Sequence, residues 1–203
     1  MPTNVPLEIE LKLRVESHEP VREKLRAAEA TFVRRALERN LIFDRPDGSL
    51  RRQGVGLRVR SLDIEGEKQG PDETHPTLTV KGPRLPGPMK AREEREVAIS
   101  DAQTAARMFE MLGFVCILSY EKRRETWQLG PCLVELDEPP RIGLFVEIEG
   151  PDEQAIRRVQ TTLGLAGVPH VPQSYVHMLA DYCDTHSIAA RVLRLTYCSL
   201  HSQ

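Results

Sequence analysis

The chain has 203 residues, a formal net charge of -2, and 29% charged residues whose signs are interleaved, not blocked. That balance argues against a polybasic tail or a broadly basic nucleic-acid surface, and no apolar run approaches the ~18 residues of a membrane span. The length suffices for one domain with its own core. Cys116, Cys132, Cys183 and Cys198 form no Cys-x-x-Cys pair, which fits reduced thiols. The first residues lead into a charged strand with no signal-peptide pattern, so the cytoplasm is the expected location.

Residues 7–15 open with Leu7-Glu-Ile-Glu-Leu-Lys-Leu13, in which apolar and charged residues alternate strictly. That is the period of a strand. His18-Glu-Pro20 starts a helix predicted to run to about Ala30, and strands follow at 31–36 and 38–44. Pro46-Asp-Gly48 is a turn signal, and 55–62 read as strand. The polar, Gly- and Pro-containing stretch 63–76 reads as a mobile loop able to close over a site. Strands at 77–82 and 90–99 precede a helix capped by Ser100 or Asp101 and ending near Gly113. Strands at 114–127, 131–138 and 144–150 are separated by Gly130-Pro131 and Pro139-Pro140. Helices are predicted from Pro151-Asp-Glu153 to about Gly164 and from Ser174 to Cys183. Residues 1–183 read as one domain and 184–203 as a tail, with a short helix possible at 188–195. The sum is α+β with about eight strands, dominated by antiparallel pairing, a pattern that can close into a barrel.

The charged pairs two apart recur along the chain: Glu8/Glu10/Lys12, Arg58/Arg60, Lys81, Arg92/Glu94/Glu96, Lys122/Arg124, Glu135/Asp137 and Glu147/Glu149. Each set shares one face of its strand. A solvent face would tolerate Ser, Thr, Gln and Asn in such positions. If helices cover the apolar faces, the charged faces line a barrel interior. Carboxylates crowded there need cations. The basic residues supply some, and a hard divalent ion on carboxylate oxygens, Mg²⁺ or Mn²⁺, is the natural remainder. The basic half needs an anion of its own, and a triphosphate matches a linear array of Arg forks and Lys charges.

Glu8-x-Glu10-x-Lys12 resembles the signature of the CYTH, or triphosphate tunnel metalloenzyme, superfamily. The match continues in order through Arg58-x-Arg60, Lys81-Gly82, Glu94-x-Glu96, Lys122-x-Arg124, Glu135-x-Asp137 and Glu147-x-Glu149, and Ser174-Tyr175 resembles a later element of its cyclase-like branch. The resemblance implies an eight-stranded antiparallel β-barrel, a tunnel with helices packed on its outside. It implies that Lys12, Arg58, Arg60, Lys81, Lys122 and Arg124 hold phosphate oxygens, with Lys12 and Lys122 near the chemistry. It implies Glu8, Glu10, Glu147 and Glu149 as metal ligands, with Glu94, Glu96, Glu135 and Asp137 as further ligands or supporting groups. Arg92 is instead expected to pair with neighbouring carboxylates.

The implied substrates are ATP, thiamine triphosphate and inorganic triphosphate. Water as nucleophile makes a triphosphatase; a ribose 3′-hydroxyl attacking the α-phosphorus makes a class IV adenylyl cyclase. A non-catalytic polyphosphate- or nucleotide-binding module and an RNA 5′-triphosphatase are the alternatives, the latter unsupported by the net charge. Monomer and homodimer stay open. The six histidines show no metal-ligand spacing. Trp127 and Phe145 read as packing residues, and Tyr175 as either a ligand contact or a helix-packing residue.

Overall fold

A computed structural model describes residues 7–65, 75–87 and 89–195. Its strands are β1 (Leu7–Val15), β2 (Thr31–Asp44), β3 (Gly56–Ile64), β4 (Thr77–Lys81), β5 (Lys90–Ala98), β6 (Val115–Leu129), β7 (Cys132–Glu138), β8 (Leu144–Glu149) and β9 (Val192–Leu193). Its helices are α1 (Glu19–Ala27), α2 (Ser49–Arg52), α3 (Ala102–Met111), α4 (Glu153–Thr162) and α5 (Tyr175–Thr185). The sheet runs β2-β3-β4-β5-β1-β8-β7-β6, and β6 pairs back onto β2, closing an eight-stranded antiparallel barrel. β9 adds to β6 in parallel at Ser119 and Tyr120.

Local chemistry explains the elements. The β1 alternation puts Leu11 and Leu13 outward, where they join Val134, Leu136, Val146 and Ile148 beneath α1 and α4. Those helices contribute Val21 and Leu25, and Ala155, Ile156 and Val159, at helical spacing. The outward residues Phe43, Leu57 and Val59 pack against Ala102, Ala105, Ala106 and Phe109 of α3. Asp101, Asp152 and Ser174 cap α3, α4 and α5 by accepting backbone N–H bonds. Gly113, just past α3, has φ +83, a conformation that L side chains resist.

Three boundaries differ from expectation. The strands expected at 31–36 and 38–44 are one continuous strand, because Leu37 pairs with both Asp63 and Arg123. After the Pro46-Asp-Gly48 turn, Asp44 accepts bonds from the N–H groups of Leu50 and Arg51, which starts the unexpected α2. The helix considered for 188–195 is not formed; Val192 and Leu193 pair with β6 instead, and Glu121 accepts from the Leu195 N–H. Residues 66–74 of the expected 63–76 loop lie outside the described residues, as do Cys198 and the rest of 196–203.

The lumen divides in two. At one end Ile42, Leu118, Tyr120 and Phe145 form an apolar floor with Tyr175, Leu179 and Cys183 of α5. α5 therefore closes an end of the barrel, whereas α1, α3 and α4 cover its outside. The rest of the lumen is charged.

Candidate active site in the barrel lumen

Register brings the expected residues together. Glu10 faces Glu149 and Lys12 faces Glu147 across β1 and β8. Glu135 faces Glu147 across β7 and β8, and Arg124 faces Asp137 across β6 and β7. Lys81 faces Glu94 across β4 and β5, while Glu8 faces Arg92 across β1 and β5.

Two charged networks result. Near the floor, Arg124 reaches Glu135 at 2.5 Å, Asp137 at 2.6 Å and Glu147 at 2.5 Å. Lys122 bridges Asp137 at 3.1 Å and Glu38 at 3.3 Å, Arg60 meets Glu38 at 2.9 Å, and Lys12 meets Glu147 at 3.1 Å. Lys12, Lys122, Glu38 and Asp137 are all buried. Toward the other end, Lys81 bridges Glu8 at 2.9 Å and Glu94 at 2.5 Å, and Arg92 pairs with Glu8 at 3.3 Å. Arg58 reaches Glu94 at 3.8 Å and Glu96 at 3.4 Å; Glu96 lies at the rim, half exposed. Lys90 pairs with Glu10 between the two networks.

Protonation follows from these neighbours. Burial opposes ionisation of Glu38, but Arg60, Lys122 and Arg124 outweigh it and hold the carboxyl well below its usual range. Glu147 is likewise held low by Lys12 and Arg124 against its burial. Burial pushes Glu135 up to about 8, helped by Asp137 and Glu147 and opposed by Arg124. Burial, with Glu8, Glu10 and Glu94 nearby, pushes Glu149 up to about 7 against the pull of Lys81.

Sequence reasoning missed four lumen residues. Glu38 and Asn40 sit on β2, where Glu38 and Arg39 put a charge on each face and neither face stands out by its spacing. Asn40 is fully buried and its Oδ1 accepts from Arg60 Nε–H at 3.0 Å. Thr79 donates to Glu96 at 2.6 Å. Lys90 precedes Arg92 by two residues and shares its face, so the same spacing argument would have found it. Trp127 packs with the outer core and donates to Glu125, and Phe145 lies in the floor.

The carboxylates are turned onto cations, and among the described residues no three His, Cys, Asp or Glu side chains converge on one point for a metal ion. The donor set nevertheless fits a hard divalent ion. Of the eight carboxylates expected, Glu149 alone makes no ion pair among the described residues, and its charged neighbours are Glu8, Lys81, Glu10 and Glu94. Carboxylate oxygens are the donors that Mg²⁺ or Mn²⁺ prefer. No helix among the described residues is long and apolar enough to cross a membrane.

Comparison with known proteins agrees with this geometry. An adenylate cyclase of Aeromonas hydrophila is 31% identical over 147 residues, covering 68% of this chain and 70% of its own. A solved structure from Pyrococcus horikoshii superposes with TM-score 0.72 at 26% identity, covering 86% of this chain and 99% of that one. A Hippeastrum protein described with a dominant triphosphatase activity shares the fold at TM-score 0.64 and 20% identity, covering 96% and 100%. The CYTH domain family matches residues 6–175. With that span covering the whole barrel and its ordered charged pairs, the chain belongs to the CYTH family.

Proposed function

We propose that the lumen is a divalent-metal-dependent active site for a small molecule bearing a triphosphate. The observation that carries the reading is the separation of charge inside one closed barrel. Arg58, Arg60, Lys81, Lys122 and Arg124 lie on β3, β4 and β6, which flank β2 and its Glu38, and the other carboxylates lie on β1, β5, β7 and β8, with Lys12, Lys90 and Arg92 among them. A neutral or cationic ligand would leave the basic wall paired only with its own carboxylates. A triphosphate releases those carboxylates to a metal while taking over their cations.

Glu8, Glu10, Glu147 and Glu149 would hold the metal, with Glu94, Glu96, Glu135 and Asp137 supporting. A bound Mg²⁺ or Mn²⁺ supplies neutralisation of charge on the phosphate oxygens. The chain's residues do the rest. Arg58, Arg60 and Arg124 present guanidinium forks to phosphate oxygens, and Lys81 adds a point charge. Lys12 and Lys122, both desolvated, face the charge that develops as a phosphorus–oxygen bond breaks. Arg92 and Lys90 balance Glu8 and Glu10.

The nucleophile is water in a triphosphatase and the substrate's own 3′-hydroxyl in a cyclase. The name of the Aeromonas relative keeps the cyclase reading in play. Product analysis by phosphorus NMR decides, using inorganic triphosphate, thiamine triphosphate and ATP in separate reactions with Mg²⁺ or Mn²⁺. Orthophosphate release identifies a triphosphatase and its preferred substrate. Cyclic AMP with pyrophosphate identifies a cyclase. Tight triphosphate binding without turnover would overturn the enzyme reading and leave a binding module. A Glu8→Gln/Glu10→Gln variant serves as the control and is expected to be inactive.

A further inference from the structure

One side chain of α5 reaches past the apolar floor into the charged lumen. Ser174 accepts from the His177 N–H at 3.2 Å, which fixes the first turn of the helix and aims Tyr175 inward. The Tyr175 ring is buried. Its centroid lies 3.8 Å from Lys12 Nζ and 5.0 Å from Lys122 Nζ. Its hydroxyl donates to Asp137 Oδ2 at 2.8 Å, and Phe145 packs edge-on at 5.3 Å. The segment before it tightens the same spot. Lys12 Nζ donates to the Gln173 carbonyl at 3.1 Å, and Val171 N–H donates to the Lys12 carbonyl at 2.8 Å.

Packing alone does not require this arrangement. Leu179 and Cys183 already fill the floor against Leu118 and Phe145. An aliphatic residue at 175 would complete that cluster without presenting a ring face to either lysine. Tyr175 instead places a π-face beside two buried ammonium groups and anchors itself through Asp137. An aromatic face attracts a desolvated cation and fixes where it sits. With the ring in place Lys122 pairs with Glu38 and Asp137, at 3.3 and 3.1 Å, and Lys12 with Glu147 at 3.1 Å; without it, the side of each ammonium that faces the ring loses its support and both groups gain room to shift.

We infer that Tyr175 is a positioning residue whose ring fixes the ammonium groups of Lys12 and Lys122 side by side at the lumen's floor, where an incoming phosphate meets them together. It acts through the lysines, so the inference rests on the lumen being a triphosphate site.

The test compares wild type, Tyr175→Phe and Tyr175→Leu. Turnover and binding of inorganic triphosphate with Mg²⁺ are measured beside thermal unfolding and the proton shift of the Lys12 ε-methylene group. In the wild type that group is expected upfield of its random-coil position because it is bonded to Nζ, which lies over the ring at 3.8 Å from its centroid. Tyr175→Phe keeps the ring; it should keep the upfield shift and lose no more than about threefold in kcat/KM. Tyr175→Leu should lose the shift and about tenfold or more in kcat/KM per folded molecule, within the roughly hundredfold that a misplacement of about an ångström can cost. A folded Tyr175→Leu protein with wild-type kcat/KM overturns the inference while leaving the triphosphate site intact. A wild-type Lys12 signal without an upfield shift overturns it even if the leucine variant does not fold. A wild type that neither binds nor turns over inorganic triphosphate removes the site reading itself, and the inference with it.

Discussion

Glu149 offers a direct test of the proposal that the lumen takes a divalent metal. Its carboxyl is pushed from an ordinary 4.5 up to about 7, by burial and by Glu8, Glu10 and Glu94, with Lys81 opposing. For an acid with a raised folded-state value, the native state holds the proton more tightly than the unfolded chain does. Stability therefore falls as pH rises from about 4.5 to about 7 and stays low above that. At ~1.36 kcal/mol per unit the shift corresponds to roughly 3 kcal/mol, and partial solvation of the group reduces this to about 1–2 kcal/mol. Glu149→Gln removes the penalty. In EDTA at pH 8 the variant should be more stable than wild type by about 1–2 kcal/mol, and at pH 5 the two should coincide. Adding Mg²⁺ at pH 8 should stabilise wild type more than Glu149→Gln, because the cation replaces the proton on Glu149. Urea denaturation at the two pH values, with EDTA or Mg²⁺, supplies all the terms. A Glu149→Gln protein no more stable than wild type in EDTA at pH 8 refutes the reasoning.

Arg124→Ala strips the shared cation from Glu135, Asp137 and Glu147, leaving buried carboxylates uncompensated. Denaturation at pH 8 should show a loss of about 3–5 kcal/mol, smaller at pH 5 where Glu135, pushed up to about 8, is protonated. His18 is buried and its Nε2–H donates to the Phe145 carbonyl at 2.9 Å, and burial holds its pKa below 6.5. A depressed folded value means stability present above pH 6.5 and lost as pH falls below it. Wild type should therefore lose stability relative to His18→Gln between pH 7 and pH 5 in parallel denaturations. At Gly150 a Cβ would lie 2.7 Å from Cys132 Sγ and 3.0 Å from Ile156 Cγ1, both fully buried. Gly150→Ala should cost about 1–3 kcal/mol by overpacking, read as a lowered thermal midpoint.

The legible part of the fold was carried by alternation. In β1 the period of two separated Glu10 and Lys12 from Leu11 and Leu13, and the structure places the first pair in the lumen and the second in the outer core. The same reasoning placed the charged pairs of β3, β5, β6, β7 and β8. It failed on β2 because Ala36-Leu-Glu-Arg-Asn-Leu-Ile42 carries a charge on both faces: Glu38 inward and Arg39 outward on Glu121 and Asp63. A single strand cannot show which of those charges is enclosed; only closure against β6 decides it. The floor was illegible for a related reason. Ile42, Leu118 and Phe145 lie on lumen-facing strands but are apolar, and only the docking of α5 supplies their partners. β9 has two residues, too few for any period to register.

The central claim is that the charged lumen binds a triphosphate together with a divalent metal. Isothermal titration of inorganic triphosphate into the protein, with Mg²⁺ and with EDTA, tests it most directly. The account predicts about one triphosphate per chain in Mg²⁺. It predicts binding weakened at least tenfold, about 1.4 kcal/mol, by Arg58→Ala/Arg60→Ala and by Glu8→Gln/Glu10→Gln. No binding to the wild type, or binding unaffected in both double variants, would contradict it.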